Sequence, residues 1–472
     1  MKKLLLSAFL VLCASAVAEV PSTVAIRNAK IVTVSGAVIA KGTVIIRGGL
    51  IDAVGENVAV PADAWVVDGE GMTVYPGLID GLSTVGIAGA APAAAAAGGG
   101  RGGRGTPATP ATPTAPAAQA APAERSWGPE DRPQTTSWLL AADEIQAGDR
   151  RVETVRGAGF TTAVTFPTRG IFGGQGSIID LVSGEKAAEM ILVPAAGQYI
   201  AMGRGGGFGG GGGGGGGFPS SLMGIIAYVR QVYLDADHYR LVKEAYAKDP
   251  RGMQRPEYDR ALEGVLASKR ILLPANRLVE IDRMLRFGAE LKQPMILYGA
   301  RDAYLPEAAD LLKKANATVL LSLKWPTAPV RSPDAEDTDT LRMLEQRDKA
   351  PTAPAVLQKA GIKYALYADG LDAPRDFQRA VKKAIDNGLS REDALRALTL
   401  SPAEIYGVAD RVGSIEKGKI ANLVLTKGDI FDDRTTVVMV FVDGKKYTPA
   451  ETAAPGGRGG ASTDDPGPGG NR

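Results

Sequence analysis

The two ends of the chain alternate apolar and polar residues with the period of strands, and the stretch between them repeats strand and helix. From Thr23 to Val74 the alternation comes in short runs, the pattern of half-buried strands. Thr43–Arg47 and Leu50–Val54 flank Gly48-Gly49, while Val437–Val442 and Lys445–Tyr447 flank Asp443-Gly444. Both spacings predict two-residue hairpins whose turn residues need positive φ. Neither end supplies enough strands to close a core alone, so the two are expected to pair into one small β domain. Between them, Ile271-Leu272-Leu273, Met295–Tyr298, Thr318–Leu323 and Ile362–Tyr367 read as short buried strands. Leu278, Ile281, Leu285 and Gly288 recur at spacings of three and four, which predicts a helix, and Pro306–Ala315 and Pro374–Ile385 read likewise. Repeated βα units imply a parallel sheet with helices outside it. Periodicity leaves open whether that sheet is flat or closed.

Two low-complexity stretches interrupt this pattern. Residues 88–123 are rich in Ala, Gly, Pro and Thr, and residues 203–217 are almost pure glycine. Neither can bury enough apolar surface to offset its ordering entropy, so both are expected to be disordered, as is the tail, residues 450–472. Each insertion follows a strand, which in a parallel barrel places it over the carboxyl end, either as a lid or as a tolerated insertion. The N-terminus reads as a secretory signal, residues 1–18: Lys2 and Lys3, an apolar run from Leu4 to Leu12, then Ala14-Ser15-Ala16 and Ala16-Val17-Ala18 as small-residue cleavage sites. The run is shorter than the ~20 residues a membrane span needs. A secreted or periplasmic location is expected, and Cys13, the only cysteine, would leave with the leader. With 54 Lys+Arg against 52 Asp+Glu and no basic stripe, nucleic acid is not an expected partner.

Two distant motifs then set the expectation for the whole chain. The first is Pro76-Gly77-Leu78-Ile79-Asp80-Gly81-Leu82-Ser83-Thr84; the second is Ala394–Ala403 (ALRALTLSPA) followed by Gly413-Ser414-Ile415-Glu416-Lys417-Gly418-Lys419. Together they resemble the amidohydrolase superfamily, in particular its imidazolonepropionase-like branch. The resemblance implies an α/β fold: a TIM-like (β/α)8 barrel over residues 76–404, with a small β-sandwich domain built from residues 19–75 and 405–449. It also implies a divalent metal of the zinc class, hydrolysis of C–N bonds in cyclic amides or small peptides, and an association into oligomers.

The residues at the implied ligand positions depart from that chemistry. Where the family's first strand carries two histidines, this chain has Leu82 and Thr84; the fifth-strand histidine falls on Tyr298. The sixth-strand position lies between Ser322 and Lys324, its register open. Metal hydrolysis needs ligands that hold the ion and leave one place for water, and leucine cannot ligate. Tyr364–Gly370 resembles the last-strand motif and places Asp369 at the barrel mouth, although Asp-Gly also favours a turn. The alternative of an oxygen-ligated site from Asp80, Asp302 and Asp369 suits Mg²⁺ or Ca²⁺ better than zinc. Gly170–Ser177, with Gly174 and Gln175, reads as a loop able to offer backbone N–H groups, or simply as a tight connection. Lys324 and Trp325 leave another strand end on the same face, where they either contact a ligand or pack. The single histidine, His238, sits in a polar helical stretch away from every ligand position and reads as a solvated side chain. No G-x-S-x-G elbow is present.

Three functions follow. The leading one is an exported protein with a degraded metal site, acting as a non-catalytic binding or partner subunit of an active amidohydrolase, without cofactor. The second is a hydrolase with an unconventional site, using Asp369 with Lys324 or Tyr298. The third is a periplasmic scaffold.

Overall fold

The computed structural model describes residues 23–87, 129, 131–184, 186–202, 219, 221–328, 338–432 and 435–449. The expected leader, both low-complexity insertions and the tail lie outside the described residues.

The N-terminal strands are β1 (Thr23–Ile31), β2 (Ile39–Arg47), β3 (Leu50–Gly55), β4 (Trp65–Asp68) and β5 (Thr73–Pro76). The second sheet begins at β6 (Leu78–Ser83) and passes through α1 (Ala141–Glu144) and α2 (Arg150–Gly157) to β7 (Phe160–Thr165), β8 (Phe172–Asp180) and β9 (Ile191–Ile200). Helices α3 (Leu222–Lys248) and α4 (Arg260–Ala267) lead to β10 (Ile271–Ala275), and α5 (Leu278–Leu291) leads to β11 (Met295–Gly299). Then come α6 (Pro306–Lys314), β12 (Thr318–Ser322), α7 (Leu341–Lys349), α8 (Ala353–Ala360) and β13 (Lys363–Tyr367). Three helices, α9 (Pro374–Asp386), α10 (Arg391–Ala397) and α11 (Leu400–Tyr406), precede the return strands β14 (Leu423–Lys427), β15 (Thr436–Val442) and β16 (Lys445–Tyr447).

The chain's two ends do build one sheet. Its order is β16-β15-β14-β5-β1-β2-β3, with β4 parallel to β1, and β14 joins the halves by running antiparallel to β5. Both hairpin turns take the left-handed backbone their residues allow: φ is +56° and +82° at Gly48 and Gly49, and +50° and +71° at Asp443 and Gly444. Ile26, Ile31, Val44, Val74, Leu423 and Phe441 form its dry core.

The second sheet, ordered β13 through β6, is the expected eight-stranded barrel, nearly closed. One strand departs from the all-parallel expectation: β8 runs antiparallel to both β7 and β9. The connection from β7 to β8 explains this. A parallel crossover needs a dozen or more residues, whereas residues 166–171 suffice only to reverse the chain. Successive residues of the parallel strands face opposite ways, as a strand's period requires: Ile79, Leu272, Ile296, Leu320 and Ala365 pack inside the barrel, and Leu78, Leu273, Leu297, Leu321 and Leu366 pack with the helices. The seam between β13 and β6 is held by Asp80, whose Oδ1 accepts the Ala368 N–H at 3.0 Å.

The two quoted motifs meet at the amino end. Ile79 N–H donates to Leu398 O at 2.7 Å, the Tyr406 hydroxyl donates to Gly81 O at 2.7 Å, and Arg270 just ahead of β10 bonds Ile405 O. A Cβ on Gly77 would stand 2.0 to 2.6 Å from three atoms of the Thr161 side chain, so only glycine admits the barrel's first strand here. Among the described residues no helix is long and apolar enough to cross a membrane.

Candidate functional site at the barrel mouth

The carboxyl ends of β6, β9, β11, β12 and β13 converge on a cup whose floor is aromatic. The Tyr298 hydroxyl donates to the Tyr199 hydroxyl at 3.0 Å and lies 3.3 Å from Ile200 O. Their rings stack at 5.4 Å with 29° between planes, and Phe166 tilts against Tyr199 at 6.1 Å. Tyr367 is 1% exposed and belongs to the same interior cluster, together with Leu82. Burial pushes the Tyr199 phenol up to about 12. Burial likewise raises Tyr298, reinforced by Tyr199, and Tyr367, reinforced by Asp369. All three remain neutral phenols around pH 7.

Above this floor sits one polar pair. Ser322 ends β12 opposite Tyr367. Its Oγ donates to Asp369 Oδ2 at 2.6 Å and accepts the Lys324 N–H at 3.1 Å. Asp369 is 4% exposed and takes φ +53°, followed by Gly370 at +81°. The mouth position and the Asp-Gly turn are therefore both realised. Burial raises its pKa, against the Ser322 hydrogen bond and the positive charges of Lys324 and Arg301, and burial prevails. Arg301 carries a buried Nε with no hydrogen-bond partner beside this pair.

The other sequence-derived candidates are distributed differently. Thr84 is clasped from outside: its Oγ1 accepts Arg151 Nη1 at 3.1 Å and its carbonyl accepts Nη2 at 2.9 Å. Trp325 donates its indole N–H to Ala380 O at 2.8 Å, so it packs against α9. Gly174 and Gln175 are not in a loop. They lie within β8, where Gln175 is buried and donates to Gly264 O at 2.9 Å and Gln198 Oε1 at 3.3 Å. The glycines there serve close packing: a Cβ on Gly176 would meet the Phe166 ring at 2.2 Å. Glycine-rich sequence hid a strand because its alternation depends on absent side chains.

Asp80, Asp302 and Asp369 are not joined in one site. Asp80 holds the seam, while Asp302 accepts Gln346 Nε2 at 3.0 Å, Arg342 Nη2 at 3.2 Å and Leu278 N–H at 3.2 Å. Among the described residues no three His, Cys, Asp or Glu side chains converge as a metal site requires. His238 is an exposed residue of α3, as expected. Sequence reasoning missed Tyr199, Tyr367, Phe166 and Arg301; inward-facing aromatics near strand ends were the available signal.

The profile described as "Amidohydrolase family" matches residues 279–447. A solved amidohydrolase from Thermotoga maritima MSB8 is similar at 25% identity and TM-score 0.67, covering 90% of this chain and all of its own. A Xaa-Pro dipeptidase solved with methionine in its active site is similar at 17% identity and TM-score 0.52, with 90% and 100% covered. A molinate hydrolase is similar at 15% identity and TM-score 0.51, with 90% and 95% covered.

Proposed function

We propose that this chain, which matches the amidohydrolase family profile over residues 279–447 and shares the fold of a solved amidohydrolase, is a non-catalytic member, exported, that serves as a binding or partner subunit of an active amidohydrolase. The observation that carries this reading is the buried, stacked Tyr199–Tyr298 pair, with Tyr298 standing at the position that the resemblance implies for the fifth-strand ligand. Leucine, a clasped threonine, two phenols and a serine do not fit a zinc-class ion: such an ion takes imidazole, thiolate or carboxylate donors, and among the described residues only Asp369 supplies one beside them.

The Ser322–Asp369 hydrogen bond of 2.6 Å favours a second reading, a metal-independent hydrolase in which the carboxylate draws the proton from the serine hydroxyl and Lys324 offsets charge. A single assay separates the two. Purified full-length protein, with zinc or manganese supplied, is offered Xaa-Pro dipeptides and cyclic amides. The non-catalytic reading expects no turnover above buffer. Turnover that disappears in Asp369→Asn would establish the second reading in its place.

A further inference from the structure

Three neighbouring strand ends set the charge of the barrel mouth. β11 and β12 pair in parallel with Gly299 opposite Leu321, and β12 and β13 with Ser322 opposite Tyr367. Arg301, Lys324 and Asp369 each follow the end of their strand by two residues, so the three leave the sheet side by side. Asp369 takes its hydrogen bond from Ser322. Among the described residues neither Arg301 nor Lys324 forms an ion pair, and both side chains are half-buried. Asp302, the carboxylate next to Arg301 in sequence, is engaged by Arg342, Gln346 and the Leu278 N–H. The positive charges of Lys324 and Arg301 both bear on Asp369, and that of Arg301 bears on Tyr367 as well. The phenols of the floor add no negative charge. Whether Asp369 is ionised or protonated, these groups leave the mouth with a net positive charge.

We propose that the mouth binds a small anion through an oxyanion group, a carboxylate or a phosphate, held between Arg301 and Lys324. This ligand site rests on the non-catalytic reading of the same mouth. A guanidinium presents a planar fork of N–H donors that matches two oxygens of such a group, and an ammonium adds a compact charge beside it. Both cations stand over buried Tyr367 and Ser322, where charges are screened less than on an open surface. The same positive charge opposes a divalent ion, in keeping with donors that do not fit one. A neutral amide of equal size offers no charge to either group and is refused.

The test titrates full-length protein by calorimetry in low-salt buffer with sodium succinate, with sodium phosphate and, as a neutral counterpart, with succinamide. One saturable site per chain is expected for the oxyanion, weakening with added salt, and none for succinamide. The tighter of succinate and phosphate identifies the group recognised. Lys324→Gln and Arg301→Gln should each weaken binding about tenfold, roughly 1.4 kcal/mol. Lys359→Gln, which removes an exposed cation on α8, should leave it unchanged. Circular dichroism verifies folding, and if one glutamine variant does not fold, the other and the contrast with succinamide decide. Equal binding of succinamide, no saturable binding of either anion, or undiminished affinity in the folded glutamine variants would overturn the proposal. The two failures are distinct: loss of the anion site shows in the titration, and loss of the non-catalytic reading shows as turnover.

Discussion

Replacing Tyr298 by alanine is expected to destabilise the protein by about 3–5 kcal/mol, the range for removing a large ring from a packed core. The ring is 5% exposed and stacks on Tyr199, so its loss leaves a void that the surrounding strands can only partly close. The hydroxyl contributes less. Tyr298→Phe keeps the ring and removes the hydrogen bond to Tyr199, at an expected cost of about 1 kcal/mol. Urea unfolding of the three proteins checks both numbers. A Tyr298→Ala loss no greater than that of Tyr298→Phe would mean that the floor of the cup is not packed, and the account of a filled metal position would lose its footing.

The second large effect is one of pH. Asp80 is fully buried at the seam, and burial raises its pKa from 3.8 to about 7, against the hydrogen bond from Ala368 and with the help of the negative charge on Asp372. Between about pH 4 and 7 the folded chain holds a proton that the unfolded chain has already released. Stability from this group is therefore fully present below pH 4, falls as pH rises through that window, and is level above it. A shift of about three units corresponds to roughly 4 kcal/mol. Asp180, raised by burial to about 6 while bonded to Thr162 and Asn422, acts in the same direction. Asp80→Asn keeps an acceptor for the Ala368 N–H and removes the titration. The variant should be more stable than wild type at pH 8, and the advantage should shrink by pH 5. Parallel stability profiles for the two proteins from pH 5 to 8 would show that Asp80 is ionised in the fold.

Much of the architecture could be read in the residues because it rests on local signals. Gly-Gly and Asp-Gly between alternating runs specify turn geometry directly, and the three-and-four spacing of Leu278 to Gly288 specifies a helix face. The antiparallel β8 could not be read in the same way. Phe172-Gly173-Gly174-Gln175-Gly176 has too few side chains to show period two, and its strand state is imposed by pairing with β9. At the site, Asp369 was legible through a motif, and its partner Ser322 only through register, a tertiary property. The aromatic floor was hidden for the same reason. Tyr199, Tyr298 and Tyr367 lie far apart in sequence, and only barrel closure brings them together.

The most direct measurement is the metal content of the purified full-length protein after incubation with excess zinc and then manganese, followed by desalting. Far less than one ion per chain is expected, with an unchanged melting temperature, because the proposed non-catalytic reading has the buried Tyr199–Tyr298 pair in place of metal ligands. One tightly held ion per chain, lost on Asp369→Asn, would contradict the account.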